Sequence, residues 1–268
     1  PFFSEYRAFA EGQGARLVTV PSDLPDLGLP IQALANAITS STRAVIINSP
    51  NNPSGKLYSS EELGLLAGLL EEKSKELGRP LYLVSDEPYR ELVYDGKTTP
   101  FIPLIYRNTI VCYSYSKALS MPGERIGYVL VPPALEHARD IYDAIAGAAR
   151  SLGYVCAPSL IQKVIGLCAG VKPDTAPYDR NRKLLYQGLT RAGYRCIPPD
   201  GAFYMFVQAP GGDAEAFSAF AKEHYNLLLV PSESFGFPGY LRISYCVPEE
   251  RISSSLPLFE ACLQAFEA

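Results

Sequence analysis

The chain has 268 residues, enough for one large domain or two moderate ones, and 47% of them are hydrophobic, which excludes an intrinsically disordered chain. The net charge of -4 with no basic block argues against a nucleic-acid surface, and no apolar run approaches the roughly 20 residues of a membrane span. Six scattered cysteines without a C-x-x-C pair and two distant histidines indicate mostly reduced core thiols, a cytoplasmic location and no metal site.

The first part of the sequence predicts strands that alternate with helices. We expect strands at 15–20, 44–47, 81–84, 110–112 and 126–131, and helices at 31–38 and 60–77. The helix at 60–77 has the strongest signals, because serines and glutamates favour its amino end and Gly-Arg-Pro follows its last residue. This alternation is typical of the α/β class, with a mostly parallel sheet and helices on both faces.

The second part begins beyond residues 171–177, a segment rich in proline and polar residues that we interpret as a hinge. Two helices, at 136–149 and 158–169, are expected before this segment. Beyond it we expect helices at 178–192, 215–223 and 248–266, and strands at 203–207, 227–230 and 241–245. We therefore predict a large domain over residues 1–175 and a smaller α/β domain over residues 176–268.

Polar clusters follow three of the predicted strands, directly after Ile47, after Val84 and after Cys112. The carboxyl ends of parallel strands lie along one edge of a sheet, and ligands bind at that edge. We therefore expect the three clusters to form a single site.

The first cluster reads Asn-Ser-Pro-Asn-Asn-Pro-Ser-Gly over residues 48–55. One interpretation is a plain tight turn, since asparagine and proline favour turns for local reasons. The other is a binding turn in which the Asn52 side chain donates a hydrogen bond to a ligand oxygen. The sequence leaves both open.

The second cluster contains Asp86 and, three residues on, Tyr89. A carboxylate at a buried strand end needs a cationic partner, because its desolvation is otherwise uncompensated. Asp86 is therefore a candidate for holding a proton on a heterocycle nitrogen, with the Tyr89 phenol within reach of an oxygen on the same ring. An exposed loop acid or a helix cap is the alternative for Asp86. Glu87 and Arg90 are expected to face water.

The third cluster places one lysine, Lys117, in a polar loop with Ser114 and Ser116 before it and Arg125 after it. An amine can condense with a carbonyl, while hydroxyls and a fork-shaped guanidinium can bind a phosphate. These residue types therefore suit a ligand that carries both groups. The alternative is a lysine and an arginine in a solvated loop.

One further candidate lies in the smaller domain, where Arg242 interrupts an apolar predicted strand. An arginine in such a setting usually has a partner. A substrate carboxylate, bound by two parallel hydrogen bonds, is one possibility, and a structural salt bridge is the other.

Taken together, four stretches resemble the class I and II aminotransferases, fold-type I enzymes that use pyridoxal 5'-phosphate. They are residues 48–55, Ser-Asp-Glu-Pro-Tyr at 85–89, Ser-Tyr-Ser-Lys with the downstream Gly-Glu-Arg-Ile-Gly-Tyr within 114–128, and Leu-Arg-Ile-Ser at 241–244. They occur in the family's order with about its spacing. The resemblance implies amino transfer from an L-amino acid, aspartate-like or another common one, to a 2-oxo acid such as 2-oxoglutarate.

The resemblance implies a role around the cofactor ring for five residues. Lys117 would form the covalent link to the cofactor and move protons at the substrate α-carbon, as the pyridoxal phosphate pattern requires. Asp86 would keep the pyridine nitrogen protonated. Asn52 and Tyr89 would bond the phenolic oxygen of the ring, and Phe3 would stack on its face.

The resemblance also assigns the phosphate and the substrate. Ser114, Ser116 and Arg125 would hold the phosphate group. Arg242 would bind the substrate α-carboxylate, with Asn52 also in the substrate site. Arg150 either reaches the distal carboxylate of a dicarboxylate substrate or lies on a helix surface. Of the two, we favour the helix surface.

Relatives place a glycine-rich phosphate loop, and a tyrosine that is lent across a dimer, upstream of the position of Pro1. The resemblance therefore implies an N-terminally truncated chain, about two thirds of a typical member. Since the absent loop would supply backbone donors to the phosphate, we expect weak cofactor binding, if any. For the full-length parent we expect a homodimer.

Two alternatives remain open, because a fold does not determine a function. One is a carbon–sulfur lyase that uses the same cofactor on the same scaffold. The other is not an enzyme: it is an aminotransferase-like ligand-binding domain of a transcription regulator.

Overall fold

The computed structural model describes residues 1–267, and within them the chain forms two four-stranded sheets. The first sheet consists of β1 (Ala44–Asn48), β2 (Tyr82–Asp86), β3 (Thr109–Ser114) and β4 (Gly127–Leu130). Its strands lie in sequence order, with β1, β2 and β3 parallel and β4 antiparallel at the edge. The helices of this part are α1 (Glu5–Glu11), α2 (Ile31–Ala37), α3 (Ser60–Leu77), α4 (Tyr115–Ala118), α5 (Ala138–Ser151) and α6 (Ser159–Leu167).

Helix α3 has the bounds that the sequence predicts. The Ser59 side chain accepts a hydrogen bond from the backbone of Glu62, whose carboxylate accepts one from the backbone of Ser59, so the amino end has a complete capping box. Gly78 ends the helix in the left-handed conformation that favours glycine. Its buried leucines, including Leu66 and Leu70, share a core with residues of β1 and β2.

The second sheet is antiparallel throughout, in the order β5-β6-β8-β7. Its strands are β5 (Cys196–Ile197), β6 (Tyr204–Gln208), β7 (Val230–Pro231) and β8 (Tyr240–Ser244). The helices that accompany it are α7 (Ala176–Arg191), α8 (Ala214–Tyr225) and α9 (Glu249–Glu267). The two sheets lie on either side of the boundary predicted at residue 175, although the division into domains stays a prediction.

Contacts between the two halves place the second sheet against the turn that follows β1. The backbone amides of Asp200 and Gly201 both donate to the Gly55 carbonyl at 2.9 Å. Gly55 has a φ of +73°, and a Cβ there would lie 2.4 Å from the Pro199 side chain, so this position requires glycine. Tyr89, which follows β2, belongs to the core of the second half.

The structure corrects several expectations. The predicted strand at 15–20 is wrong: this segment forms no ladder with another strand within residues 1–267. The predicted strand at 227–230 pairs only from Val230, and helix α1 and the short strand β5 were not predicted. The expected loop around Lys117 is instead the short helix α4. A β pattern specifies an extended chain, but a strand needs a neighbour whose backbone completes the hydrogen bonds.

Two further features concern the described residues as a whole. No helix there is long and apolar enough to cross a bilayer, and no group of metal-binding side chains is gathered into a metal site. Cys262 is buried, as expected of a core thiol, whereas Cys156 and Cys246 are exposed.

Candidate functional site

The register of the first sheet brings two of the polar clusters together at one edge. Asn48, the last residue of β1, lies opposite Asp86, the last residue of β2, and Asp86 lies opposite Cys112 in β3. The Asn48 side chain donates to the Asp86 carbonyl at 2.8 Å and accepts from the backbone amide of Asn52 at 2.6 Å. Buried Asn48 therefore fixes the start of the turn relative to Asp86.

Asp86 is half-buried at the strand end, so it is neither an exposed loop acid nor a helix cap. Burial raises the pKa of its carboxyl group, and a hydrogen bond that the Tyr6 hydroxyl donates to its Oδ2 atom opposes the shift. The expectation that Glu87 faces water is wrong. Glu87 is fully buried and accepts from Arg90 Nε at 2.6 Å and from Ser85 at 2.7 Å, because a buried carboxylate needs such partners.

Lys117 lies in the short helix α4, which begins directly after β3. Ser114 caps this helix: its hydroxyl accepts from the backbone amide of Ser116 at 3.1 Å and donates to the Ser116 hydroxyl at 2.8 Å. The half-buried Lys117 ammonium lies 5.5 Å from the ring centre of Phe203 and 6.0 Å from that of Tyr89. Lys117 forms no ion pair within residues 1–267. Its amine is therefore held at an aromatic wall and is not committed to a carboxylate.

Arg125 is exposed and adopts the left-handed backbone conformation, with a φ of +51°. Its guanidinium donates to the Pro122 carbonyl at 2.9 Å, and it has no carboxylate partner in the described part of the chain. The remaining donors of this guanidinium are therefore available to an anion.

Tyr89 is buried in the core of the second half. Its hydroxyl lies 3.2 Å from the Tyr204 hydroxyl, and its ring meets the Phe203 ring edge-on at 5.3 Å. Burial raises the pKa of the Tyr89 phenol above its usual range; the neighbouring Tyr204 hydroxyl adds to the shift, and the charge of Arg242 opposes it. Tyr204 therefore connects Tyr89 to Arg242, because it shares a hydrogen bond with Tyr89 and its ring lies 4.7 Å from the Arg242 guanidinium carbon.

Arg242 extends from β8 and is sandwiched between two aromatic rings, with its guanidinium carbon 4.7 Å from the ring centre of Tyr204 and 4.9 Å from that of Phe235. One of its nitrogens donates to Asn52 Oδ1 at 3.0 Å. The alternative of a structural salt bridge is not supported, since Arg242 pairs with no carboxylate among residues 1–267. The Asn52 oxygen thus faces Arg242, a contact that the sequence does not indicate.

Phe3 is half-buried, and its ring meets the Tyr6 ring edge-on at 5.7 Å. The backbone amide of the preceding residue, Phe2, donates to the Phe235 carbonyl at 3.0 Å. The aromatic segment at the start of the chain is therefore fixed beside the residues that sandwich Arg242.

Four aromatic residues that line this region were missed from the sequence: Tyr6, Phe203, Tyr204 and Phe235. Phe203 and Tyr204 lie at a strand that the sequence predicts, but nothing in the local pattern indicates that their rings face Lys117 and Arg242. Tyr6 lies in an unpredicted helix and carries no signal of its own.

The groups described above each match one part of a ligand. An amine suits an aldehyde, a buried carboxylate suits a protonated ring nitrogen, and two hydroxyls with a guanidinium suit a phosphate. The second guanidinium, with flat aromatic walls and an amide beside it, suits a carboxylate.

The comparisons with known proteins agree with this chemistry. The sequence model of the family described as aminotransferase class I and II matches residues 1–255. The chain is 31% identical to a probable aspartate/prephenate aminotransferase of Thermus aquaticus, over 98% of this chain and 68% of the relative.

Two solved structures are similar over nearly the whole chain. An amino transferase from Eubacterium rectale superposes with a TM-score of 0.97 at 54% identity, over 100% of this chain and 67% of that one. The aspartate aminotransferase of Thermus thermophilus with maleate gives a TM-score of 0.81 at 27% identity, over 98% and 68%. These likenesses confirm the predicted fold class, and the chain spans about two thirds of the length of these relatives.

Proposed function

This chain belongs to the class I and II aminotransferases, enzymes that depend on pyridoxal 5'-phosphate, and we propose that it moves an amino group from an L-amino acid such as aspartate to a 2-oxo acid such as 2-oxoglutarate. The observation that carries the proposal is the amine of Lys117, which forms no ion pair among the described residues and lies 6.0 Å from the ring centre of Tyr89, three residues beyond Asp86. The name of the Thermus aquaticus relative supports aspartate as the donor.

The donor set fits the cofactor group by group. We propose that Lys117 bonds its aldehyde carbon, that Asp86 pairs with its ring nitrogen and that Tyr89 bonds its phenolic oxygen, together with Asn52. The Asn52 side chain is buried, and its oxygen already accepts a hydrogen bond from Arg242. Its amide nitrogen is therefore the group left to donate to the phenolic oxygen of the cofactor. Phe3 would lie against the ring.

For the phosphate, we propose Ser114, Ser116 and Arg125. The two hydroxyls are already hydrogen-bonded to one another at 2.8 Å, and the guanidinium keeps donors that no carboxylate of the described residues occupies. A dianionic phosphate would accept from the Arg125 guanidinium and from the Ser116 hydroxyl, and also from Ser114 once the Ser114 hydroxyl turns away from Ser116, because each hydroxyl has one proton to donate. A neutral ligand would leave the guanidinium without an anion.

When bound, the cofactor supplies an electron-accepting ring that stabilises negative charge at the substrate α-carbon. The residues of the chain do the rest. The Lys117 amine would take the proton from the substrate α-carbon and would deliver it to the carbon that carried the cofactor aldehyde. The Asp86 carboxylate keeps the ring nitrogen protonated, since a negative charge close to that nitrogen favours its charged form. The rings of Phe203 and Tyr89 limit the access of water to the amine.

The proposed substrate contact is a pair of parallel hydrogen bonds from Arg242 to the α-carboxylate. The rings of Tyr204 and Phe235 pack on the Arg242 guanidinium, and Asn52 accepts a hydrogen bond from one of its nitrogens. The guanidinium is therefore oriented before a substrate binds. Arg150, at the exposed end of α5, has no contact among the described residues that would support a second carboxylate site.

A lysine at position 242 is expected to lower kcat/KM for all amino acid substrates by about tenfold to hundredfold. The lysine keeps the charge but loses the second parallel hydrogen bond, and a hydrogen bond to a charged group contributes about 1.5–3 kcal/mol. Steady-state kinetics measure the effect, with the exposed Arg139→Lys as the matched control. Equal kinetics for Arg242→Lys and the unmodified protein would contradict the proposed contact.

The amino transfer itself is tested with a panel of amino donors. Protein saturated with pyridoxal 5'-phosphate is mixed with each L-amino acid and 2-oxoglutarate, and the glutamate formed is measured. We expect aspartate to be among the best donors. Transfer from no donor to any 2-oxo acid would overturn the proposal, as would release of pyruvate and ammonia from cysteine without a 2-oxo acid.

We also propose that the parent protein works as a homodimer in the cytoplasm. Helices α5 and α6 bury none of their residues and expose large apolar side chains such as Tyr142 and Leu160, which a second copy would cover. The cytoplasmic location is supported by the free cysteines among residues 1–267.

A further inference from the structure

The Asp86 carboxylate is bound through only one of its two oxygens. Its Oδ2 atom accepts from the Tyr6 hydroxyl. Its Oδ1 atom accepts no hydrogen bond from residues 1–267, and this atom is not fully buried. One oxygen is therefore fixed by the protein, and the other is left for a ligand.

Tyr6 is well placed to fix that oxygen. It lies on α1, 80 residues before Asp86 in the sequence, and its ring is held edge-on by Phe3. Burial and the nearby Asp86 charge raise the pKa of the Tyr6 phenol far above its usual range, so the hydroxyl stays protonated and acts as the donor. The segment that precedes α1 is anchored to Phe235 through the backbone of Phe2.

We propose that Tyr6 is a positioning residue, which holds the Asp86 carboxylate in the orientation that presents Oδ1 to the ring nitrogen of the cofactor. This inference rests on the proposed function and adds a residue to it. A carboxylate can rotate about its bond to Cβ, so fixing one oxygen decides where the other points. Preorganised charges in a site lose much of their effect when their supporting residues are removed.

The other ionisable groups that face Asp86 do not replace Tyr6. Cys112, across the sheet on β3, has a thiol whose pKa is raised to about 11 by burial and by the Asp86 charge, so it stays neutral. Glu87 is committed to Arg90 and Ser85, and Tyr89 to Tyr204. Among the described residues, Tyr6 alone donates a side-chain hydrogen bond to this carboxylate.

The first test uses the chain without cofactor. Aspartate residues carry a 13C label at the side-chain carboxyl carbon, and the Asp86 signal is assigned by its disappearance in Asp86→Asn. We expect Tyr6→Phe to move the titration midpoint of Asp86 to higher pH, because the bond that favours the charged carboxylate is lost. The matched control is Tyr106→Phe, which removes another buried hydroxyl, bonded to the Leu81 carbonyl, and should leave the midpoint unchanged. An unchanged midpoint in Tyr6→Phe would overturn the proposal.

The second test asks whether Tyr6 acts through the ring nitrogen. Equilibrium binding is measured by absorbance for pyridoxal 5'-phosphate and for an analogue with carbon in place of the ring nitrogen. We expect Tyr6→Phe to weaken binding of the first by about tenfold and of the second very little. An equal loss for both compounds would overturn the proposal, since Tyr6 would then only shape the site. If the unmodified protein binds neither compound, as the weak cofactor binding expected of this chain allows, the titration alone decides the role of Tyr6, because it needs no cofactor.

Discussion

Replacement of Lys117 by alanine is expected to abolish covalent attachment of pyridoxal 5'-phosphate and to remove detectable amino transfer. The amine has two tasks, as the nucleophile toward the cofactor aldehyde and as the proton carrier at the substrate α-carbon. A positioned proton carrier alone contributes about 10²–10⁴-fold, so the combined loss is expected to exceed that range. Among residues 1–267, no second lysine lies against the same aromatic wall.

The fold should tolerate this change. Lys117 forms no ion pair within the described residues and is only half-buried, so its loss is expected to cost less than about 1 kcal/mol of unfolding free energy. The cofactor link is trapped with borohydride and measured as added mass on the intact protein. Lys163→Ala, which removes an exposed lysine on α6, is the control and should keep the label. A full label on Lys117→Ala would remove this residue from its proposed role.

Asparagine at position 86 is expected to have the second large effect, a loss of kcat/KM of at least about hundredfold. The amide has nearly the same shape, but it carries no charge to hold the proton on the ring nitrogen. A charge pair in a dry site contributes several kcal/mol of differential stabilisation, and about 1.4 kcal/mol corresponds to each tenfold in rate. Kinetics at saturating cofactor test this, and an unchanged kcat/KM would show that Asp86 does not pair with the ring.

The same substitution should stabilise the protein when no cofactor is present. Because burial raises the pKa of Asp86 in the folded state, the folded protein holds this proton more tightly than the unfolded chain does. Stability is therefore lost as the pH rises from the unfolded pKa, near 3.9, through the raised folded one, at about 1.4 kcal/mol for each pH unit that separates the two pKa values. Asparagine cannot ionise and avoids that loss.

Urea denaturation between pH 3 and pH 8 measures how Asp86→Asn changes the free energy of unfolding. We expect Asp86→Asn to be more stable than the unmodified protein at pH 7, with the difference shrinking toward pH 3, where the Asp86 carboxyl is protonated in both the folded and the unfolded chain. A less stable variant at pH 7 would show that ionised Asp86 stabilises the folded chain. Loss of catalysis with gain of stability is the combination expected of a charge kept for function.

The local sequence determined the elements that carry the site. Helix α3 has the bounds predicted from its capping residues and its apolar spacing, because both signals lie within one stretch of chain. The strands that end at Asn48 and Asp86 were predicted from short apolar runs, and their parallel arrangement followed from the alternation with helices. Lys117 could be singled out because it directly follows such a strand.

The tertiary structure decided which side chains meet. Tyr6 is 80 residues from Asp86, Tyr89 is 115 from Tyr204 and Asn52 is 190 from Arg242, yet each pair is joined by a hydrogen bond. The failure of the predicted strand at 15–20 has the same origin, since a strand depends on a neighbour that its own residues do not specify. Local patterns fix backbone conformation and which face is apolar, whereas contacts over long separations depend on how the elements pack.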